Sequence, residues 1–191
     1  MCTSEQGNEH GAASTYHQLG RIAEERRDFE TAESWYQKSL EISLKQGNEH
    51  GAALTYHQLG MIAEERRDFE TAESWYQKAL EIDLKQGNEH GAAITYHQLG
   101  MIAQEQRDFE TAEDWYQKSL EIELKQGNEH GAASTYHQLG MIAQERREFE
   151  TAEKLYKKSL IIFEQCQNEH NAGIAKRSLA RLNEIKKGGN P

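Results

Sequence analysis

The chain reads as an all-α stack of antiparallel helix pairs, on three observations. The first is an internal repeat: Gly-Asn-Glu-His-Gly-Ala-Ala begins at residues 7, 47, 87 and 127, and Thr-Tyr-His-Gln-Leu-Gly at 15, 55, 95 and 135, a period of 40 without slippage. The second is apolar spacing of helical type inside each unit. The third is composition. Hydrophobic residues make up 36% of 191 residues and charged ones 28%, which suits a thin continuous core with wide solvated faces. The sole proline, Pro191, breaks nothing inside the chain.

The second unit illustrates each element in turn. Asn48 is an N-cap residue whose side-chain oxygen can accept from the first free amides, and Glu49 complements the positive helix end. Ala52, Tyr56, Leu59 and Ala63 recur at helical spacing, and Arg66 and Arg67 close the helix at its negative end. Asp68 caps the next helix, whose apolar faces carry Phe69, Ala72, Trp75, Tyr76, Ala79, Leu80 and Leu84. Glu81 and Lys85 form an expected i,i+4 pair, and Gly87 the expected left-handed stop. The second helix is apolar on two sides, so it must pack on its own first helix and on the next unit. Residues 47–86 and 87–126 agree at 34 of 40 positions, which suggests recent duplication or deliberate engineering.

These residues resemble the tetratricopeptide repeat. The family pattern is met by Tyr56, Leu59-Gly60, Ala63, Asp68-Phe69, Ala72, Tyr76 and Ala79, with Ser39, Ser119 and Ser159 at the last small position of the other units. The usual period is about 34 residues. The longer units here resemble those of Pins-type modulators, kinesin light chains and bacterial signalling proteins. The resemblance implies a right-handed superhelical solenoid whose first helices line a concave face that binds a peptide or partner protein. The expected division is an N-terminal tail at 1–6, repeats at 7–46, 47–86, 87–126 and 127–167, a capping helix at 168–187 and a C-terminal tail at 188–191. The capping helix reads as a decayed first helix. Leu179 and Leu182 keep the inward positions of Leu139 and Ile142, while Lys176 replaces Tyr136 and Ala180 replaces Gly140.

On the groove side implied by the resemblance stand His17, His57, His97 and His137, then Leu54 and Ile94 between Ser14 and Ser134. Arg21, Met61, Met101 and Met141 follow, then Glu64, Gln104 and Gln144. The histidines are either half-exposed neutral groups or polar ligand contacts, and the methionines either complete the packing or adapt to a ligand. The groove reads as apolar in its middle and acidic at its rim. A basic or apolar-anchored segment suits that charge, and a chaperone's acidic C-terminus does not.

The formal charge of −10 repels phosphate backbones and makes nucleic acid a poor partner. Residues 154–191 carry +5, leaving −15 on the rest. End-to-end stacking into a weak homo-oligomer is therefore an alternative reading. An engineered array or a fragment with no independent function is another. No cofactor and no metal site is expected. Paired histidines such as His50 and His57 stand seven apart, roughly 10.5 Å along a helix, too far for one ion. Cys2 and Cys166 lack metal-site spacing, and no glycine-rich phosphate loop or nucleophile elbow occurs, so an enzyme is not expected. Without an apolar run of membrane length or a leader, the expected setting is cytoplasmic.

Overall fold

A computed structural model describes the backbone of residues 3–188 and the side chains of residues 11–188. Among the described residues there are nine helices and no strand: α1 (Thr3–Glu25), α2 (Phe29–Lys45), α3 (Glu49–Glu65), α4 (Phe69–Gln86), α5 (Glu89–Glu105), α6 (Phe109–Lys125), α7 (Glu129–Glu145), α8 (Phe149–Gln165) and α9 (Glu169–Gly188). α1 begins at Thr3, inside the segment expected to be a tail. The chain forms two compact units, residues 1–95 and 96–191, each built of consecutive helices packed in pairs.

The caps form as the sequence predicts. Asn48 Oδ1 accepts from Gly51 N at 3.0 Å, and Asp68 Oδ1 from Thr71 N at 3.3 Å. Such a cap contributes about 1 kcal/mol. In the fourth repeat Glu148 occupies the cap position and makes no side-chain cap bond. Gly87 takes the left-handed backbone at φ 67°.

In the first unit the core is centred on Tyr36 and Tyr76, fully buried, with Ala32, Ala52, Leu59 and Ile62. Each large side chain of this kind stabilises the fold by roughly 1.5–3 kcal/mol. Tyr76 lies flat against Gly60: a Cβ there would fall 2.7 Å from the ring carbon Cδ1, so only glycine admits the close approach. The second unit repeats the device with Tyr116 on Gly100 and Tyr156 on Gly140, around Leu139, Ile142 and Leu182.

Two local expectations fail. Lys85 pairs with Glu49, in the first turn of α3, rather than with Glu81 on its own helix. The partner across the helix pair offers a second contact through Gln86 and stands at a helix start, where a local pair offers neither. Leu84 is not packed: it is 54% exposed, like Leu44 and Leu124, while Asp83 beside it in the same turn is buried.

Tyr16 stacks on Trp35, Tyr56 on Trp75 and Tyr96 on Trp115, at 5.4–5.5 Å between ring centroids. Lys38, Lys78 and Lys118 lie 4.0–4.3 Å over the respective indoles. The fourth repeat has Leu155 at the tryptophan position, beside a hollow of about 260 Å³ that Tyr136 also lines.

Candidate partner-binding surface

The first helices present the predicted residues differently in each unit. In the first unit His17, Arg21 and Leu54 line one cleft of about 450 Å³ between α1, α2 and α3. Arg21 and Met61 line a second hollow of about 300 Å³ with Glu24, Glu25 and Gln58. Leu54 is 50% exposed and Ile94 41%, so both copies of this apolar position stand in solvent. In the second unit Met141 is exposed, whereas Met101 is half-buried and packs on the Tyr116 core.

The four histidines are held by the protein itself. Each packs on the tyrosine of the following helix, with ring centroids 5.2 Å apart: His17 on Tyr36, His57 on Tyr76, His97 on Tyr116 and His137 on Tyr156. Three also reach the next first helix. His17 Nδ1 lies 3.4 Å from Thr55 Oγ1, His97 Nδ1 3.0 Å from Thr135 Oγ1, and His137 Nε2 3.0 Å from Ser178 Oγ. The Thr135 hydroxyl donates to Glu123 Oε2 at 2.9 Å, so His97 Nδ1 donates to Thr135 when Glu123 is ionised. Within the first unit His57 Nε2 and Thr95 Oγ1 are buried and have no hydrogen-bond partner among the described residues. Burial keeps these imidazoles neutral. It lowers the pKa of His57 and His137, takes that of His97 to about 4, and with the Arg21 charge lowers that of His17.

The expected acidic rim is also committed inward. Tyr36 OH donates to Glu24 at 2.6 Å and Tyr76 OH to Glu64 at 2.9 Å. Tyr116 OH donates to Gln104 at 3.1 Å and Tyr156 OH to Gln144 at 3.3 Å. Burial first, then the neighbouring carboxylate, pushes the Tyr36 and Tyr76 phenols far above their usual range, and burial raises Tyr156 to about 12. Glu65 and Glu145, one residue further on, pair with Arg27 at 3.2 Å and Arg107 at 3.4 Å.

Sequence reasoning missed these internal partners. The signal was present, since a tyrosine follows every Glu or Gln of the rim by 12 residues and a hydroxyl follows each histidine by 38 or 41. It also missed a buried polar position near the end of the second helices. Ser43, Asp83 and Glu123 are 2%, 6% and 6% exposed, and Phe163 completes the series. Asp83 accepts from Asn88 Nδ2 at 2.7 Å. Burial raises the pKa of both carboxyls.

Among the described residues no group of three or more His, Cys, Asp or Glu could hold a metal ion, and no helix is long and apolar enough to cross a membrane.

Comparison with curated proteins gives no match. Several solved structures share the fold. BtubC (BKLC) from P. vanneervenii superposes with a TM-score of 0.71 at 19% identity, over 96% of this chain and 84% of that one. The apo form of RapI gives 0.85 at 17% identity, over 92% of this chain and 64% of RapI, so the chain spans less than two thirds of that protein. A putative kinesin light chain with nearly identical TPR-like repeats from Podosopora anserina gives 0.74 at 16% identity, over 92% and 86%. The tetratricopeptide repeat profile itself matches residues 11–85, 51–125 and 91–165, in three overlapping registers. With the helix pairs, the Tyr-on-Gly packing and the 40-residue period, this makes the chain a member of the tetratricopeptide repeat family.

Proposed function

We propose that the chain is a non-catalytic scaffold that holds a peptide or a segment of a partner protein on the surface of its first helices. Tetratricopeptide repeats in general mediate protein–protein interaction. The observation that carries the finer reading is the exposure of Leu54 and Ile94, two large apolar side chains at a position where the first and fourth repeats have serine. Solvating them costs the free chain, at roughly 25 cal/mol per Å² of apolar surface, and a bound apolar side chain recovers that cost. The partner is accordingly anchored by apolar contacts. The case for a basic partner is weaker than the composition implies, because Glu24, Glu64, Glu65 and Glu145 already hold internal partners.

The test is selection of binders from a random peptide library on the immobilised chain. Leu54→Ser and Ile94→Ser install the residue that other repeats already carry, so the helices should keep their circular dichroism. The selected peptides should bind this double variant at least tenfold more weakly, about 1.4 kcal/mol. Equal binding by both proteins would remove the first-helix surface as the binding site.

Head-to-tail stacking through the C-terminal end has less support. At the α9 positions that match Tyr136, Gly140 and Ala143 stand Lys176, Ala180 and Asn183, all exposed, and Lys176 pairs with Glu164 at 2.7 Å. A following second helix would have to bury a lysine and an asparagine there.

A further inference from the structure

The fourth repeat departs from the other three where they carry tryptophan. Trp35, Trp75 and Trp115 recur every 40 residues, and the next step falls on Leu155. In the second repeat Trp75 stacks on Tyr56 and packs against the buried cluster that contains Leu40, Leu59 and Ile62. The matching residues 80 positions later are Tyr136, Leu120, Leu139 and Ile142. All four line the hollow of about 260 Å³ beside Leu155, between α6, α7 and α8. The surfaces that hold an indole in one repeat are therefore present, and open, in another.

The shorter leucine leaves its neighbours uncovered. Leu40 is 7% exposed, whereas Leu120 is only half-buried, and exposure rises from 2% at Leu59 to 8% at Leu139. The lysine three residues after the ring position responds as well. Lys38, Lys78 and Lys118 stand 5.7–5.8 Å from the centroid of the tyrosine ring and nearer to the indole. Lys158 has no indole beneath it and lies 4.9 Å from the centroid of Tyr136. Gln117, Glu148 and Thr151 on the lining are exposed, so the hollow is reached from solvent. Arg146 on the same lining pairs with Glu113 at 2.6 Å. That charge is compensated, and the apolar floor suits an uncharged ring better than an anion.

We propose that this hollow is a second binding site, which takes the indole side chain of a tryptophan carried by a partner protein. The ring stacks on Tyr136, covers Leu120 and Leu139 and offers Lys158 the face that Trp75 offers Lys78. An apolar cavity of about 150 Å³ is enough for a benzene ring, and this hollow is larger. Trp35, Trp75 and Trp115 are already stacked on their own tyrosines, so the ring comes from another molecule. Tetratricopeptide repeats mediate protein–protein interaction, which favours a ring borne by a protein over a free indole compound. The site shares no residue with the surface around Leu54 and Ile94 and does not rest on the function proposed for it.

The experiment is a titration of the intact chain with N-acetyltryptophanamide and, separately, with indole, following the leucine and isoleucine methyl resonances. Ring currents should shift Leu120, Leu139, Ile142 and Leu155 saturably and leave Leu59 and Ile62 in place. Leu155→Trp fills the hollow with the residue the other repeats carry, and should weaken the response at least tenfold while circular dichroism stays unchanged. Trp75→Leu should open a matching hollow and bring Leu40, Leu59 and Ile62 into the response, which decides the matter even where Leu155→Trp fails to fold. The inference is overturned if neither compound gives a saturable shift, if Leu59 and Leu139 shift alike in the parent, if a folded Leu155→Trp chain responds as the parent does, or if a folded Trp75→Leu chain gains no response. Saturation by indole alone also overturns it, because the hollow then admits a free ring and not a side chain. Failure of the scaffold reading is seen separately, in peptide binding by the Leu54→Ser and Ile94→Ser variant.

Discussion

The two turns of each repeat have the same backbone and different side chains. Between α3 and α4 the chain turns at Arg67, φ 59°, and between α4 and α5 at Gly87, φ 67°. Both turns return a backbone N–H to the carbonyl five residues back, Asp68 N to Ala63 O at 2.9 Å and Asn88 N to Asp83 O at 2.8 Å. Glycine takes this left-handed conformation freely, whereas an arginine pays about 1–2 kcal/mol for it. The turn within the repeat offsets part of that strain at the surface. Arg67 lies 5.3 Å from the Phe69 ring centroid, and Arg27 lies 5.6 Å from that of Phe29 while pairing with Glu65. Gln167 ends α8 at φ 55°, a strained residue where the three earlier junctions have glycine. The same fold position therefore tolerates strain where a side chain recovers contacts, and the junctions between repeats mostly avoid it.

The comparison breaks most readily at the caps that follow the glycine turns. Asn88→Ala should cost about 2–4 kcal/mol, the cap plus the donor to a buried carboxylate, whereas Asn48→Ala, which faces Ser43, should cost only about 1 kcal/mol. Equal shifts in the urea midpoint would mean that the Asp83 contact adds nothing. Next comes Gly87→Ala, expected to destabilise by about 1–2 kcal/mol in the same assay. Gln167→Gly should do the reverse and raise the midpoint by up to about 1 kcal/mol, while Arg67→Gly should gain less because it also gives up a cation–π contact of about 0.5–1 kcal/mol. A larger gain from Arg67→Gly than from Gln167→Gly would show that the arginine contacts do not offset the strain.

The smallest effect is a dependence on pH. The carboxyls of Asp83 and Glu123 have raised pKa values in the fold. Their contribution is thus complete below about pH 4, the unfolded value, and is lost as pH rises through the folded value. Asp83→Asn and Glu123→Gln should gain on the parent between pH 4 and 7. His97, lowered to about 4, works in the opposite sense: its contribution is present above about 6.5 and is lost as pH falls toward its folded value. Midpoints of parent and variants across this range separate the two, and a difference that does not change with pH would exclude the buried carboxyls as titrating groups.

The helices were legible because period, caps and stops agree in the first three repeats and the period alone carries into the second helix of the fourth; Asn48, Asp68 and Gly87 behave as their chemistry predicts. The candidate surface was legible only in part. Leu54 and Ile94 are exposed, a matter of helical phase that a sequence carries. Whether His97 or Glu64 is available to a ligand depends on groups brought near by folding, Thr135 and Tyr76, and helical phase says nothing about those. Lys85 failed for the same reason, its tertiary partner displacing the local one.

The tryptophans bear on how unfolding of this chain can be watched. Trp35, Trp75 and Trp115 each stack on a tyrosine and lie under a lysine, and Leu155 takes that place in the fourth repeat. Indole emission therefore reports the first three helix pairs and is silent about α7, α8 and α9. If the C-terminal helices fray first, the far-ultraviolet dichroism falls while the fluorescence holds, and the mismatch between the two signals measures how far the array departs from a single cooperative transition.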